Sequence, residues 1–561
     1  RNNKYFMATI DYIVLIGYFI LITLFGIWIS RKIRTSDSYF RGDRKFKWYI
    51  MIGQAFGVGT HAEMPVAQTG ATFSNGFATI WYQWKNMLIT PFYWLIAPFY
   101  RRSERTTVGE IIEDRYGRKM GLVYSVFAIT FFVFSMGVMI QGAAKVISVA
   151  SGNLFSPNMI VFFMTIAFII YSFVGGLIAA AYTDFIQSFL IITLSVLLIP
   201  LGLAEVGGFH SMKAALPDHF FDLFNSASGI DGFTIAMLAV NGIVGITAQP
   251  HMVSMCATGN TERAGRIGQT FGSLVKRLIT IGWALTGLVV AALVLKMGVE
   301  LPDPEMAFGY ACSVLLVPGL VGLMLAAILA ANMSSCSNFM VNTGALFTQN
   351  IYRKYINPEA SDRSLLWMGR YSGLGLSIMA VIFALGVKNV LHGFLFVETL
   401  AAFMGIIFLG GIIWKRANRF GAAAAVVTSV SVYYVVNYLT AGELMLVYKW
   451  LPAPFGIAML SGFFIFWLIS MLTRPEDQER TDAFFDNMRR KSDAGETGPD
   501  GKKPLGEISG DDLLLLDIPG YVKKERRVNF FRRYREDLVG FLLSWLVVGF
   551  LIILAWGIMQ I

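Results

Sequence analysis

The chain has 561 residues, of which 55% are hydrophobic and 15% are charged, and its mean hydropathy is +0.59. This composition excludes a soluble globular domain, because such domains carry about 25% charged residues. The net charge of +10 does not indicate a nucleic-acid partner, since the basic residues lie between apolar stretches. The three cysteines, Cys256, Cys312 and Cys336, have neither metal-ligand spacing nor the pattern of a disulfide framework.

Apolar stretches of about 20 residues, long enough to cross about 30 Å of hydrocarbon, recur along the whole chain. The first seven are predicted near residues 9–30, 47–72, 78–100, 119–150, 158–174, 176–203 and 231–257. Seven more are predicted near residues 275–297, 308–346, 366–388, 391–413, 417–440, 445–472 and 538–560. The sequence therefore predicts an all-α, polytopic membrane protein with about fourteen transmembrane helices in the plasma or inner membrane of the cell.

Basic residues concentrate in the loops that follow odd-numbered spans. Examples are Arg31–Arg34, Arg101–Arg102, Lys276–Arg277, Arg353–Lys354, Lys415–Arg416 and the segment 473–536. By the positive-inside rule these loops face the cytoplasm, so both termini are expected outside. The middle of the segment 473–536 is rich in charge, glycine and proline and is expected to be partly disordered.

Two of the predicted spans are interrupted by glycine and proline. The second contains Gly53 to Pro65, and the seventh contains Asn241 to His251, five spans later. Because free backbone groups persist in hydrocarbon only where they line a cavity or bind a ligand, such breaks are typical of transporters built from two inverted repeats. The alternative is that these glycines only allow close packing against neighbouring helices.

Ionisable side chains within spans are few, and each is costly to bury in a bilayer, so each is a candidate functional group. They are Glu63, Lys85, Lys145, Asp184 and Glu398, together with His61 and His251. Glu63 and Lys85 lie on consecutive spans, so pairing with each other is the simpler expectation, and binding of a charged solute is the alternative. The two histidines are expected to be hydrogen-bonded packing residues more often than proton relays.

A third polar cluster lies deep in the ninth span, in Ala326 to Asn338. Its hydroxyl groups are ligands that a hard cation such as sodium prefers. Serines in membrane helices often only donate to their own backbone carbonyls, so this cluster alone is a weak indication.

Several short motifs occur in a fixed order along most of the chain. They are Tyr39–Arg44, Thr107, Glu110, Arg115–Gly117, Gly175–Leu177, Thr183, Asp184, Gln187, Gln249–Pro250, Ala331–Ser335, Phe347–Arg353, Trp414–Asn418, Gly421 and Ala422. In this order the sequence resembles the sodium/solute symporter family, which includes the sodium/glucose and sodium/proline transporters.

The resemblance implies a LeuT-type core of two inverted five-helix repeats, alternating access and sodium-driven uptake. The repeats would be residues 47–203 and 231–413. They would be flanked by an extra amino-terminal helix at 9–30, two peripheral helices at 417–472, the cytoplasmic segment 473–536 and a carboxyl-terminal transmembrane helix at 538–560.

The resemblance also implies a set of sodium ligands. Gly57 and Ala331 would offer carbonyl oxygens, Thr60 a carbonyl or hydroxyl, and Ser334 and Ser335 side-chain oxygens. Asp184 matches an acidic residue that the family uses in a further sodium site or exit path.

The solute positions differ from the sugar-transporting branch, which carries Glu where Gln83 stands and an amide where Met64 stands. The candidate solute residues are His61, Glu63, Gln83, Lys85, Asn86, Gln249 and His251, and they favour a charged solute such as a carboxylate or an amino-acid-like molecule. Two alternatives remain open: a solute sensor that signals through 473–536, and a proton-coupled transporter that uses His61 or His251. No motif of an enzyme is found, and the expected partners are sodium, a small solute and the lipid bilayer.

Overall fold

The structure is a computed structural model that describes residues 7–30, 46–61, 63–152, 154–226, 229–489, 514–519 and 529–561. Within these ranges the chain is helical apart from turns, loops and two isolated bridges, Phe46 with Gly259 and Asn225 with Ile230. The predicted all-α class is therefore confirmed. The motif Tyr39–Arg44 and residues 490–513 and 520–528 of the segment 473–536 lie outside the described residues.

The first half of the chain forms eight α-helices. They are α1 (Thr9–Ser30), α2 (Trp48–Gly59), α3 (Glu63–Asn75), α4 (Trp81–Arg102), α5 (Val108–Tyr116), α6 (Arg118–Ala150), α7 (Pro157–Val206) and α8 (Phe209–Ala215). Short 3₁₀ turns follow α3 and α8, at Phe77–Ile80 and Asp218–Phe221.

The second half forms twelve more helices in the described residues. They are α9 (Gly232–Gly245), α10 (Met252–Cys256), α11 (Glu262–Met297), α12 (Ala307–Leu315), α13 (Leu320–Leu346), α14 (Asp362–Gly386), α15 (Val390–Ile413), α16 (Arg419–Ala441), α17 (Pro452–Leu472), α18 (Gln478–Arg489), α19 (Phe530–Arg533) and α20 (Arg535–Gln560). A 3₁₀ turn, Ile246–Ala248, separates α9 from α10, and a π-helical segment, Phe347–Ile356, extends α13.

Eight helices of the described chain are long and apolar enough to cross a membrane, and nine if one bent pair is counted as a single span. Their exposed faces are apolar, as expected for helices that contact lipid. The total of fourteen spans stays a prediction.

Helix α7 is assigned as one helix of 50 residues that covers two predicted spans, 158–174 and 176–203. A straight helix of that length would be about 75 Å long, more than twice the thickness of a hydrocarbon core. Its start lies beside the end of α6, because Ser148 Oγ donates to the Phe155 carbonyl at 2.8 Å.

The far end of α7 lies on the same side of the molecule. Lys296 Nζ donates to the Glu205 carbonyl at 2.6 Å, and Lys145, one turn before Ser148, pairs with Asp303 at 2.9 Å. The chain from residue 296 to 303 can span at most about 25 Å. The two ends of α7 are therefore closer together than the ends of a straight helix of 50 residues would be.

Two predicted spans differ from the helices of the structure. The single span at 308–346 is two helices, α12 and α13, which are separated by a turn before Leu320. Helix α11 begins at Glu262 and not near residue 275, because Thr261 caps it by accepting a hydrogen bond from the Ala264 amide. Lys276 and Arg277, which the charge pattern placed in a cytoplasmic loop, consequently lie in the middle of a buried helix.

Glycines hold the interrupted helices tightly against their neighbours. A Cβ at Gly142 of α6 would lie 2.8 Å from the Glu63 Cα, and a Cβ at Gly405 of α15 would lie 2.0 Å from the Val244 carbonyl oxygen. Only glycine permits such approaches, so close packing and helix interruption occur together here. Both glycines place backbone directly around the region where the helices break.

A candidate ion and solute site at the broken helices

The second predicted span breaks after α2. Thr60 leaves the helical conformation, with φ −118° and ψ 87°, and its amide donates to the Gly57 carbonyl at 3.1 Å. Helix α3 starts again at Glu63. The interruption predicted from Gly53 to Pro65 is therefore present, and it frees backbone carbonyl groups inside the protein.

The seventh predicted span breaks between α9 and α10. Gln249 is extended, with ψ 132°, after the 3₁₀ turn Ile246–Ala248. The carbonyls of Thr247 and Ala248 accept hydrogen bonds from the hydroxyls of Tyr100 and Tyr124. Buried tyrosines thus satisfy part of the freed backbone, and the second predicted interruption is also present.

Helix α13 brings Ser335 against the first break. We call the following set of residues the sodium corner: Gly57, Thr60, Ala331, Ser334 and Ser335. Ser335 Oγ donates to the Gly57 carbonyl at 3.4 Å, a long and weak contact. The side chains of Thr60, Ser334 and Ser335 are at most 1% exposed. Ala331 lies one turn before Ser335 on the same helix.

Two hydroxyl oxygens of the sodium corner, Thr60 Oγ1 and Ser334 Oγ, are buried without a hydrogen-bond partner among the described residues. A buried hydroxyl without a partner costs about 1–3 kcal/mol, so such groups usually have a ligand. Neutral oxygens on two adjacent elements fit a hard monovalent cation. Asp184 lies on α7, but its side chain lies outside the described residues, so its predicted role stays a prediction.

A cavity of about 70 Å³ lies between the two breaks. A single water needs about 10–15 Å³ on this measure, so the cavity has room for a few waters or a small solute. Five of the predicted solute residues line it: His61, Glu63, Asn86, Gln249 and His251. Gln83 and Lys85 do not line it; Gln83 Nε2 instead donates to the Met64 carbonyl at 2.7 Å and ties α4 to α3.

The predicted pairing of Glu63 with Lys85 is wrong. Lys85 forms an ion pair with Glu398 of α15 and donates to Asn241 Oδ1 at 2.6 Å. The other carboxylate oxygen of Glu398 accepts from Asn86 Nδ2 at 3.1 Å. Lys85 is fully buried, and its charge is balanced by a residue that is distant in sequence.

Glu63 pairs locally, because its Oε1 lies 2.6 Å from His61 Nδ1. The His61 ring also contacts Phe339 of α13, with ring centroids 5.9 Å apart. His251, from the second break, stacks on the same Phe339 ring at 5.4 Å. One phenylalanine thus connects the two breaks across the cavity.

Two cavity residues were missed by the sequence interpretation, Lys276 and Arg277 of α11. Both are 4% exposed and line the cavity. Arg277 Nη1 donates to the Gln83 carbonyl at 3.1 Å. The signal that could have identified them is the cap at Thr261, since a helix that starts there includes both residues, and both are buried.

Comparison with known proteins gives related transporters over most of the chain. The family model described as the sodium:solute symporter family matches residues 39–428. The osmoregulated proline transporter OpuE of Bacillus subtilis (strain 168) is 29% identical over 494 residues, which cover 83% of this chain and 96% of that protein. The sodium/glucose cotransporter of Vibrio parahaemolyticus is 23% identical over 473 residues, which cover 76% of this chain and 85% of that protein.

Among solved structures, a Na⁺-coupled sialic acid symporter in a substrate-bound outward-open state has a similar fold. The TM-score is 0.69 at 20% identity, and the match covers 84% of this chain and 99% of that chain. This likeness confirms the LeuT-type fold. The family and these relatives are transporters and not enzymes. The chain therefore belongs to the sodium:solute symporter family and is a sodium-coupled symporter that spans the membrane several times.

Proposed function

We propose that this symporter drives uptake of a small polar or charged solute into the cell, with sodium held at the sodium corner and the solute in the adjacent cavity. The observation that carries the proposal is the pair of buried hydroxyl oxygens without described partners, Thr60 Oγ1 and Ser334 Oγ, on the two elements that the Ser335–Gly57 contact joins. Gly57 and Ala331 would contribute carbonyl oxygens, and Ser335 a side-chain oxygen.

The coupling follows from where these ligands lie. Thr60 belongs to the first broken span and Ser334 to α13, so sodium binds well only when the two elements are close together. An ion that binds one conformation better shifts the population toward it, and the solute is coupled in the same way. Glu63 of the cavity lies three residues after Thr60, so both sites depend on the geometry of one break.

The solute is proposed to contact His61, Glu63, Asn86, Gln249 and His251, which line the cavity. Gln83 and Lys85 do not line the cavity but position residues that do: Gln83 binds the Met64 carbonyl, and Lys85 pairs with Glu398. Asp184 is proposed to bind sodium a second time or to assist its release. We further propose that both termini face outside and that 473–536 is cytoplasmic in the cell membrane, as the distribution of basic residues favours.

The sodium corner is tested by Ser334→Ala in proteoliposomes. Loss of one oxygen ligand is expected to raise the sodium concentration for half-maximal uptake about tenfold. Uptake at saturating sodium should be nearly retained. The measurement is initial solute uptake against sodium concentration, with a pH gradient in sodium-free buffer as a separate arm.

Ser377→Ala is the matched control. Ser377 is also a buried serine in a helix, but its hydroxyl donates to the Gly373 carbonyl at 2.9 Å, on α14. Its sodium dependence should equal that of the wild type. Equal sodium dependence of Ser334→Ala and the control would reject the assigned ligand, and full uptake driven by the pH gradient alone would favour proton coupling.

A further inference from the structure

Lys276 and Arg277 place two adjacent positive charges in the middle of a membrane helix. Both side chains are 4% exposed, and both line the cavity. Charged groups at this depth are expensive, and those that persist mark a partner or a ligand. The two positive charges on α11 therefore need a partner in the protein or in a ligand.

The described residues supply no carboxylate that pairs with either cation within 4.0 Å. Arg277 donates to one neutral acceptor, the Gln83 carbonyl, and its Nε is buried without a partner in the described chain. A buried cation that has only neutral acceptors loses hydration without a full replacement. These two residues differ in this respect from the other buried cations of the site.

The carboxylates that line the cavity already have partners. Glu398 is bound by Lys85 and Asn86, and Glu63 by His61. Lys85 and Glu398 neutralise each other. Glu63 then offsets one of the two positive charges of Lys276 and Arg277, so the formal charge around the cavity is positive even when His61 is neutral. The charge balance therefore favours an anionic group in the bound solute.

A guanidinium group beside an ammonium group matches a carboxylate in particular. Arginine presents a planar fork of N–H donors to two oxygens, and lysine adds a point charge. The rest of the wall includes the rings of Phe131, Phe339 and Phe394, and the volume is about 70 Å³. A small molecule with one carboxylate and a compact apolar part fits this combination.

We propose that Lys276 and Arg277 bind the carboxylate of the transported solute, so that the solute is a small organic acid, with or without an amino group. This inference rests on the proposed function, because it assigns the chemistry of the same cavity. It adds two binding residues and restricts the solute to molecules that carry a carboxylate.

The probes are C2 to C6 carboxylic acids and amino acids, including pyruvate and L-proline, each beside its amide, with glucose as a neutral probe. The readout is thermal stabilisation of the purified full chain in the presence of sodium. At least one acid should stabilise the protein, and its amide should bind about 10- to 100-fold more weakly, since it lacks the charge. Equal binding of acid and amide, or stabilisation by glucose and by none of the acids, overturns the inference.

The variant Lys276→Met gives a second and independent readout. It should weaken binding of the stabilising acid about 10- to 100-fold and leave the sodium response unchanged. Without solute, its melting temperature should rise, because an unbalanced buried charge is replaced by an apolar side chain of similar volume. A lower melting temperature would show that the lysine has a structural partner and would contradict the proposal.

The matched control is Lys296→Met on the same helix. Lys296 does not line the cavity, and its Nζ donates to the Glu205 carbonyl. This variant should bind the acid as the wild type does. If sodium-dependent uptake of a neutral solute is found, only the carboxylate inference fails; if sodium changes neither stability nor uptake, the proposed function itself fails.

Discussion

The carboxyl-terminal end of α15 and the cavity at the broken helices each bury an arginine, but the two arginines have different numbers of hydrogen-bond acceptors. Arg115 of α5 is 1% exposed, and its Nε donates to the Gly411 carbonyl at 2.8 Å. Its Nη2 lies 3.0–3.1 Å from three further carbonyls, of Trp414, Lys415 and Ala417. Arg277, buried to a similar degree, has one carbonyl acceptor among the described residues.

The number of carbonyl acceptors indicates that Arg115 has a structural role, whereas Arg277 has donors available for a ligand. The carbonyls at the end of α15 carry partial negative charge, so Arg115 closes a helix terminus and connects it to the following loop. The centroids of the Phe484 and Phe485 rings in α18 lie 5.9 and 5.8 Å from its guanidinium carbon. Both arginines are buried, and each has one nitrogen without a partner among the described residues, so the number of carbonyl acceptors, four against one, is what distinguishes them.

Among the variants that test this comparison, Arg115→Leu is expected to lower stability the most. Four carbonyl groups would lose the arginine as a donor, and among the described residues only that of Trp414 also accepts from a backbone amide, of Ala417. The free energy of unfolding should fall by about 4–5 kcal/mol. Thermal denaturation in detergent measures it, with the exposed Arg353→Leu as a control that should change little. A melting temperature equal to that of the wild type would remove the distinction between the two arginines.

The next largest effect is expected from Lys85→Met, which leaves Glu398 buried without its cation. The loss should be about 3 kcal/mol, because breaking a buried pair leaves an uncompensated charge. Adding Glu398→Gln to the same protein should recover most of that stability. The same Lys→Met change at 276 is expected to act in the opposite direction, so a loss of similar size at both positions would refute the comparison.

The smallest effect is expected from Asp482→Asn, which breaks the exposed ion pair between Asp482 and Lys415. The two side chains are 44% and 48% exposed, so water already screens the pair. The change in stability should be below about 1 kcal/mol and should diminish further at high salt. A larger loss at low salt would show that α18 depends on this contact more than its exposure indicates.

Local patterns predicted both helix breaks correctly. The glycine and proline residues of two spans predicted the breaks at Thr60 and Gln249, because interrupted backbone in hydrocarbon needs a cavity. The serines of α13 were assigned to sodium through the family resemblance, and the structure places Ser335 against Gly57. Lys276 and Arg277 were misplaced because a charge-based topology treats adjacent basic residues as a loop, whereas the cap at Thr261 starts the helix earlier.

By itself, the sequence determined that this protein is a polytopic membrane protein with two unwound helices, since hydropathy and backbone-breaking residues act locally. Only the tertiary structure decided which charges neutralise each other. Lys85 pairs with Glu398 and not with Glu63, although Glu63 is far closer in sequence. The reason is that Coulomb energy and desolvation depend on distances in space, which helix packing sets, so a cation left without a carboxylate is visible only once the helices are assembled.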